Sequence, residues 1–164
     1  MANFTELDRY LFGQATHYEI YRKLGAHFTE EKGVKGVCFD LWAPNARRVF
    51  VIGTFNGWDE GAHEMKRLEP ETMGIYELFI PGLKEGDLYK YLIETNDGRR
   101  LYKADPYANY AELRPGTASA VADIDHFKWT DSKWMTARAA EEDVYAQPMA
   151  IYEVHPGSWK KHEQ

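Results

Sequence analysis

Two periodicities divide the chain. Over the first thirty residues the apolar spacing is helical: Thr16-x-x-Glu19 forms a capping-box pattern ahead of Tyr18, Ile20, Tyr21 and Leu24, and Gly25 stands where a helix would close. Thr5 to Phe12 is a shorter helical candidate before it. From about Val34 the period becomes two. Val37, Phe39 and Leu41 alternate with Cys38, Asp40 and Trp42; Val49 and Val51 with Phe50 and Ile52; Tyr89, Tyr91 and Ile93 with Leu88, Lys90 and Leu92. Turn chemistry separates these runs at Ala43-Pro44-Asn45, Asn56-Gly57, Pro81-Gly82 and Asn96-Asp97-Gly98. Shorter strands are expected at Ile75 to Ile80, Arg100 to Tyr102 and Ala120 to Ile124. Short strands punctuated this regularly predict an antiparallel β-sandwich of roughly a hundred residues. Trp129 to Ala140 reads as a short helix, and Ala139 to Gln147 as a polar linker.

The end of the chain has a different pattern. Met149 to Val154 is a bulky run behind Pro148, stopped by Pro156-Gly157, which is how a buried strand of a parallel sheet looks. A parallel partner requires a crossover of a dozen or more residues. Ten residues follow Val154, so the chain reads as a fragment of a longer protein.

Composition narrows the partners more than the fold. Of 164 residues, 26 are acidic and 20 basic, giving a net charge of −6 without a long like-charge block, which disfavours nucleic acid and anionic membrane. No run approaches the ~20 apolar residues of a membrane span. The lone Cys38 lies in a strand-like run and reads as a buried structural thiol, which fits a reducing, cytoplasmic setting.

Chemistry is sparse. The six histidines show no metal-binding pair, and one cysteine supplies no zinc spacing, so neither a metal nor a cofactor is expected. Gly53-Thr54-Phe55-Asn56-Gly57 follows a strand but lacks both a dinucleotide fingerprint and a P-loop lysine. Asp123 and Asp125 share a face of an extended segment, yet exposed charge at a strand end is the ordinary expectation. The segment Phe55-Asn56-Gly57-Trp58-Asp59 is more informative: it sets an indole just beyond a tight turn, where the apolar face of a sugar ring can stack on it. Lys90, Arg99 and Arg100 are candidate donors to such a sugar. The alternative for Trp58 is a cover over the end of the core.

Several segments carry a family resemblance: Leu24-Gly25-Ala26-His27, Phe39-Asp40-Leu41-Trp42-Ala43-Pro44-Asn45-Ala46, Phe55-Asn56-Gly57-Trp58-Asp59, Pro81-Gly82-Leu83, Tyr89-Lys90-Tyr91, Lys103-Ala104-Asp105-Pro106-Tyr107-Ala108, Arg114-Pro115-Gly116-Thr117-Ala118-Ser119 and Ile151 to Trp159. In these the chain resembles the N-terminal part of the 1,4-alpha-glucan (glycogen) branching enzymes of the α-amylase superfamily. The resemblance implies a mainly β fold: an immunoglobulin-like antiparallel β-sandwich with short N-terminal helices and the truncated start of a TIM-type (β/α)8 barrel. It implies residues 1–29 as an N-terminal helical segment, 30–127 as the carbohydrate-binding module, 128–147 as helix and linker, and 148–164 as the barrel start. The resemblance carries over Trp58 and Lys90 as glucose contacts, Asn56 and Arg100 complete the candidate glycan-binding set, and the family's second stacking tryptophan falls near Arg99 and Arg100, where this chain has no aromatic. The implied partners are α-1,4-glucan (glycogen, maltooligosaccharides) and a catalytic barrel absent from this chain.

No catalytic residue carries over, because the family's catalytic carboxylates lie on later barrel strands. Thr54 stands where the family often has Asp, and Pro156 where it usually has Leu. Three rival readings share the module: a debranching or trehalose-releasing hydrolase, a stand-alone glucan-binding module, and a sandwich whose groove has decayed.

Overall fold

The computed structural model describes residues 3–70, 73–141, 143–146 and 148–160. Parts of all four expected segments lie outside them: residues 1–2 of the N-terminal segment, 71–72 of the module, 142 and 147 of the linker, and 161–164 of the tail. The chain divides into two compact units, Met1–His126 and Phe127–Gln164.

The first unit is the sandwich. One sheet has the order β1-β2-β5-β4, formed by β1 (Gly25–Glu31), β2 (Val34–Trp42), β4 (Lys66–Arg67) and β5 (Ile75–Pro81). The other has the order β3-β6-β9-β8, from β3 (Ala46–Gly53), β6 (Leu88–Thr95), β8 (Tyr110–Ala111) and β9 (Ser119–Ala120), with β7 (Arg100–Lys103) also paired to β6. Every pairing is antiparallel. The three alternating runs form β2, β3 and β6, and their inward faces meet: Val37, Phe39 and Leu41 pack with Val49, Val51, Tyr89, Tyr91 and, from β5, Tyr76 and Ile80. The Tyr76 hydroxyl crosses the core to donate to Ala46 O at 2.8 Å, tying the two sheets together.

The N-terminal stretch departs from its expectation. The helix with the reciprocal cap is α1 (Glu6–Gly13), where Thr5 Oγ1 accepts from Asp8 N and Asp8 Oδ2 accepts from Thr5 N. The Thr16-x-x-Glu19 pattern yields only a 3₁₀ turn at Ile20–Arg22. The physical reason is packing: Tyr18 and Tyr21 stay exposed, while Ile20 and Leu24 join Phe4, Phe12, Leu68, Ile75 and Met73 in a second apolar cluster. Gly25 does not close a helix. It opens β1, which pairs with β2 along its whole length through a turn at Lys32-Gly33, both left-handed. The sandwich therefore starts about five residues before the expected boundary at 30.

Two other strands shrink or vanish. The expected run from Ala120 to Ile124 forms only β9, after which Val121 N donates to Asp87 O and Asp123 turns the chain by accepting from Asp125 N. In the second unit, α2 (Ser132–Ala139) forms as expected, but Met149 to Val154 is not a strand. Ile151 and Tyr152 are 85% and 75% exposed, since the described residues offer that segment no partner strand. Pro156 occupies the first turn of a short helix, α3 (Pro156–Trp159).

Candidate functional site

The outer face of the β3-β6-β7 sheet is built in cross-strand rows. Ile52 lies opposite Lys90; Phe50, Leu92 and Tyr102 form the next row; Arg48, Glu94 and Arg100 the third. Phe50, Ile52 and Leu92 are buried there as a separate apolar cluster, so this face is partly covered. What lies over its first row is a groove of about 410 Å³, lined by Ile52, Trp58, Glu60, Lys90, Tyr102 and the segment Glu112 with Pro115 to Ala118.

The turn after β3 fixes Trp58. Gly53 has no room for a side chain, because a Cβ there would meet Leu88 O at 2.2 Å. Thr54 Oγ1 accepts from Leu88 N at 3.2 Å, which gives the Asp-to-Thr departure a local role in stapling the turn to β6. Asn56 is consumed by the turn: its Oδ1 accepts from Gly53 N at 2.9 Å, and its Nδ2 donates to Val51 O at 3.1 Å and lies 2.8 Å from His63 Nδ1. Gly57 and Trp58 are then both left-handed, with φ of 62° and 63°. For a bulky residue such as Trp this is a rare and costly backbone state, of the kind that collects at functional positions. Trp58 is 38% exposed and lines the groove. Trp42 shows the other behaviour open to a turn-adjacent indole, donating from Nε1 to Met73 O at 3.1 Å.

Of the four residues singled out from the sequence, Trp58 and Lys90 meet in this groove. Lys90 Nζ donates to Thr117 Oγ1 at 2.6 Å, holding its ammonium at the wall formed by the Arg114 to Thr117 segment. Asn56 supports the turn from behind. Arg100 is engaged by carboxylates, Glu60 at 2.6 Å and Glu94 at 3.1 Å, and is not among the lining residues. Sequence reasoning missed Glu60, Tyr102, Glu112 and Thr117. For Tyr102 a signal existed: the Asn96-Asp97-Gly98 turn folds β7 back on β6, and alternation then puts Tyr102 on the same face as Lys90.

The buried carboxyls are structural. Asp105 accepts from Tyr89 Oη at 2.6 Å, Tyr91 Oη at 3.2 Å and Tyr107 N at 2.8 Å. Burial raises its pKa, and these hydrogen bonds only partly offset that. Cys38, Asp40 and Glu77 bring one potential ligand atom each within 4.8 Å. Yet Asp40 Oδ2 already accepts from Asn3 Nδ2 at 2.8 Å, and Glu77 Oε2 from the backbone N–H groups of Asn3 and Phe4. That cluster anchors the N-terminal segment. Burial pushes the Cys38 thiol far up, leaving it an inert, neutral group. Asp123 accepts from the backbone of Asp125, so the two form a turn and not a facing pair of carboxylates.

Residues 23–108 match the family described as carbohydrate-binding module 48 (isoamylase N-terminal domain). The chain belongs to this family. Its carbohydrate-binding module 48 portion covers β1 through β7 and holds both Trp58 and Lys90. Over 158 residues the chain is 62% identical to the 1,4-alpha-glucan branching enzyme GlgB of Butyrivibrio fibrisolvens, covering 96% of this chain and 24% of that protein. It is 47% identical to the GlgB of Protochlamydia amoebophila (strain UWE25), covering 98% and 22%. The chain thus spans about a quarter of the length of these curated relatives. Among solved structures it is similar to a pullulanase complexed with maltotetraose from Anoxybacillus sp. LM18-11, with a TM-score of 0.51 and 26% identity over 62% of this chain and 14% of that one. Among the described residues, no helix is long and apolar enough to cross a membrane.

Proposed function

We propose that the chain is the N-terminal, glycan-binding part of a cytoplasmic 1,4-alpha-glucan branching enzyme, and that its groove holds α-1,4-glucan through Trp58 and Lys90. The observation that carries this is the left-handed Trp58, an indole held at energetic cost over a groove that also contains Lys90. The apolar face of a glucose stacks on the indole, and Lys90, Thr117 and the carboxylates of Glu60 and Glu112 supply donors and acceptors for its hydroxyls. Identity to GlgB enzymes along nearly the whole chain supports the parent activity: cleavage of an α-1,4 linkage, a covalent glycosyl intermediate, and transfer to a 6-hydroxyl. In this reading the sandwich targets the enzyme to glycogen, and residues 148–164 are the opening of the catalytic barrel. The neighbouring carboxylates Asp40 and Glu77 are taken up in anchoring the N-terminal segment, and the chain by itself is expected to be inactive on amylose.

Titration with maltoheptaose, followed by amide and indole chemical shifts, tests the site. Trp58→Ala should abolish the shift changes while the melting transition stays cooperative. A wild-type chain that shows no shifts, or a Trp58→Ala variant that binds unchanged, contradicts the reading.

A further inference from the structure

The turn that carries Trp58 closes around one side-chain amide, and that amide is held by a histidine. Asn56 Oδ1 accepts from Gly53 N at 2.9 Å, and Nδ2 donates to Val51 O at 3.1 Å. A backbone N–H can only donate and a carbonyl can only accept, so these two bonds fix which end of the amide is oxygen and which is nitrogen. The second hydrogen of Nδ2 is left for His63 Nδ1, 2.8 Å away. Nδ1 is therefore the accepting nitrogen, which places the single proton of the neutral ring on Nε2. Around this amide the chain reverses: Trp58 N donates to Gly53 O at 2.9 Å, Asp59 N donates to Asn56 O at 3.2 Å, and Gly57 and Trp58 take their left-handed conformation.

We infer that His63 is the positioning residue of the Trp58 turn, acting as an acceptor at Nδ1, and that a proton on this nitrogen unlocks the turn and weakens the groove's hold on glucan. This rests on the proposed glucan groove and adds to it the residue that keeps its indole in place. An imidazolium carries N–H on both nitrogens, so its Nδ1–H would face a hydrogen of Asn56 Nδ2 with no acceptor between them. A flip of Asn56 offers no escape, since it would set the amide oxygen against Val51 O and the NH2 against Gly53 N–H. His63 is itself fastened: its carbonyl accepts from Val51 N at 2.9 Å, and its ring meets Phe55 edge-on at 5.7 Å. The charged groups around it are engaged elsewhere. On its own segment, Asp59 Oδ1 accepts from Gly61 N, Glu60 accepts from Arg100 and Tyr102, and Glu64 accepts from Arg48. Asp87, which lines a hollow of about 310 Å³ together with His63 and Phe55, accepts from Lys84 N at 2.7 Å.

Asparagine at position 63 sets a carbonyl oxygen close to where Nδ1 stands and does not titrate. His63→Asn should therefore keep maltoheptaose binding within about twofold of wild type, whereas His63→Ala removes the acceptor and should weaken it roughly three- to tenfold, the usual worth of one hydrogen bond. From about pH 8 to about pH 5, the span in which imidazoles ordinarily take up their second proton, wild-type affinity should fall roughly tenfold and that of His63→Asn should stay level. Asp40, whose carboxyl is pushed up to about 7, titrates in the same span, but it lies on the other sheet and is common to both proteins.

The experiment is calorimetric titration of maltoheptaose into the full chain, His63→Asn and His63→Ala at both ends of that pH span, with a melting curve for each protein. Ligand-free spectra of the Gly53 and Trp58 amides and of the His63 ring nitrogens accompany it. An acid loss of affinity that His63→Asn abolishes, with Nδ1 unprotonated at the alkaline end, supports the lock. An equally steep fall in His63→Asn, or wild-type affinity in His63→Ala, overturns it while leaving the glucan groove standing. A protonated Nδ1 in the neutral ring overturns it whether or not glucan binds. If the wild-type chain binds no maltoheptaose, the groove reading fails and the ligand-free spectra still decide the lock. Gly53 and Trp58 amides that shift with pH in wild type and not in His63→Asn support it, and amides that stay fixed in both overturn it.

Discussion

The two sheets of the sandwich treat their outer faces in opposite ways. On the β1-β2-β5 sheet, the outward side chains Cys38 and Asp40 are completely buried, because the N-terminal segment lies over them. Asn3 is bonded to Asp40 and Glu77, and Phe4 and Leu24 fill an apolar cluster with Ile75 and Leu68. On the β3-β6-β7 sheet, the apolar row Phe50, Ile52 and Leu92 is covered only locally. Beside it remains a groove with half-exposed Trp58 and Tyr102, lysine and carboxylates. A sheet face becomes structural when chain is available to cover it and polar groups are consumed by that cover. It stays available for a ligand where its aromatic rings keep exposed surface and its polar side chains line a groove.

The comparison breaks most visibly at Phe4. It is 1% exposed in the cluster under the N-terminal segment, so Phe4→Ala should cost about 3 kcal/mol of stability in denaturant melts while leaving glucan affinity unchanged. An equal loss of affinity would mean that the covered face communicates with the groove. Trp58→Ala is the converse case: binding goes and stability stays, since Trp58 is 38% exposed and belongs to none of the core clusters.

A smaller effect separates the faces by pH. Burial and the neighbouring Glu77 hold the Asp40 carboxyl well above its ordinary value, although the bond from Asn3 opposes them. The folded chain therefore keeps a proton that the unfolded chain releases near pH 4, and stability should decline as pH rises from about 4 toward the raised value. Asp8 has the opposite sign. Its burial is outweighed by bonds from Thr5, His17 and Lys23, which bring it down to about 2, so its contribution is present above about pH 4 and lost as pH falls toward 2. Urea melts across pH 2 to 8 should show the decline above pH 4 in wild type, with a slope of at most about 1.4 kcal/mol per pH unit from this group, and a flatter limb in Asp40→Asn. Identical slopes in the two proteins would exclude Asp40 as the source. The smallest expected change is Thr54→Val, which removes the hydroxyl that accepts from Leu88 N and should cost about 1 kcal/mol without altering the groove's lining residues.

Legibility followed the same division. Strands β2, β3, β5 and β6 were readable because alternation and burial coincide in Val37 to Leu41, Val49 to Ile52, Ile75 to Ile80 and Tyr89 to Ile93. Strand β1 was not, because Gly25 to Glu31 has no clean alternation and is held by its main-chain pairing with β2. The wrong capping box was favoured because Thr16-x-x-Glu19 has the commoner residue pair, whereas Thr5 uses an aspartate in the same geometry. Trp58 stood out by its turn chemistry, with a core cover as the alternative, and Lys90 as a candidate donor; the family resemblance then singled out both, and the structure brings them into one groove. The engagement of Arg100 by Glu60 is a contact spanning forty positions, which no local pattern encodes. The Met149 to Val154 run has the composition of a buried strand, but a strand exists only with partners, and composition alone cannot provide them.

The central claim, that one face is consumed by the fold and the other is open to glucan, is tested most directly by mapping maltoheptaose onto the chain with amide chemical shifts. The account predicts perturbations gathered at Trp58, Lys90, Tyr102 and Thr117, with Phe4, Leu24 and Asp40 unmoved. Perturbations centred on the N-terminal cover, or spread equally over both faces, would contradict it.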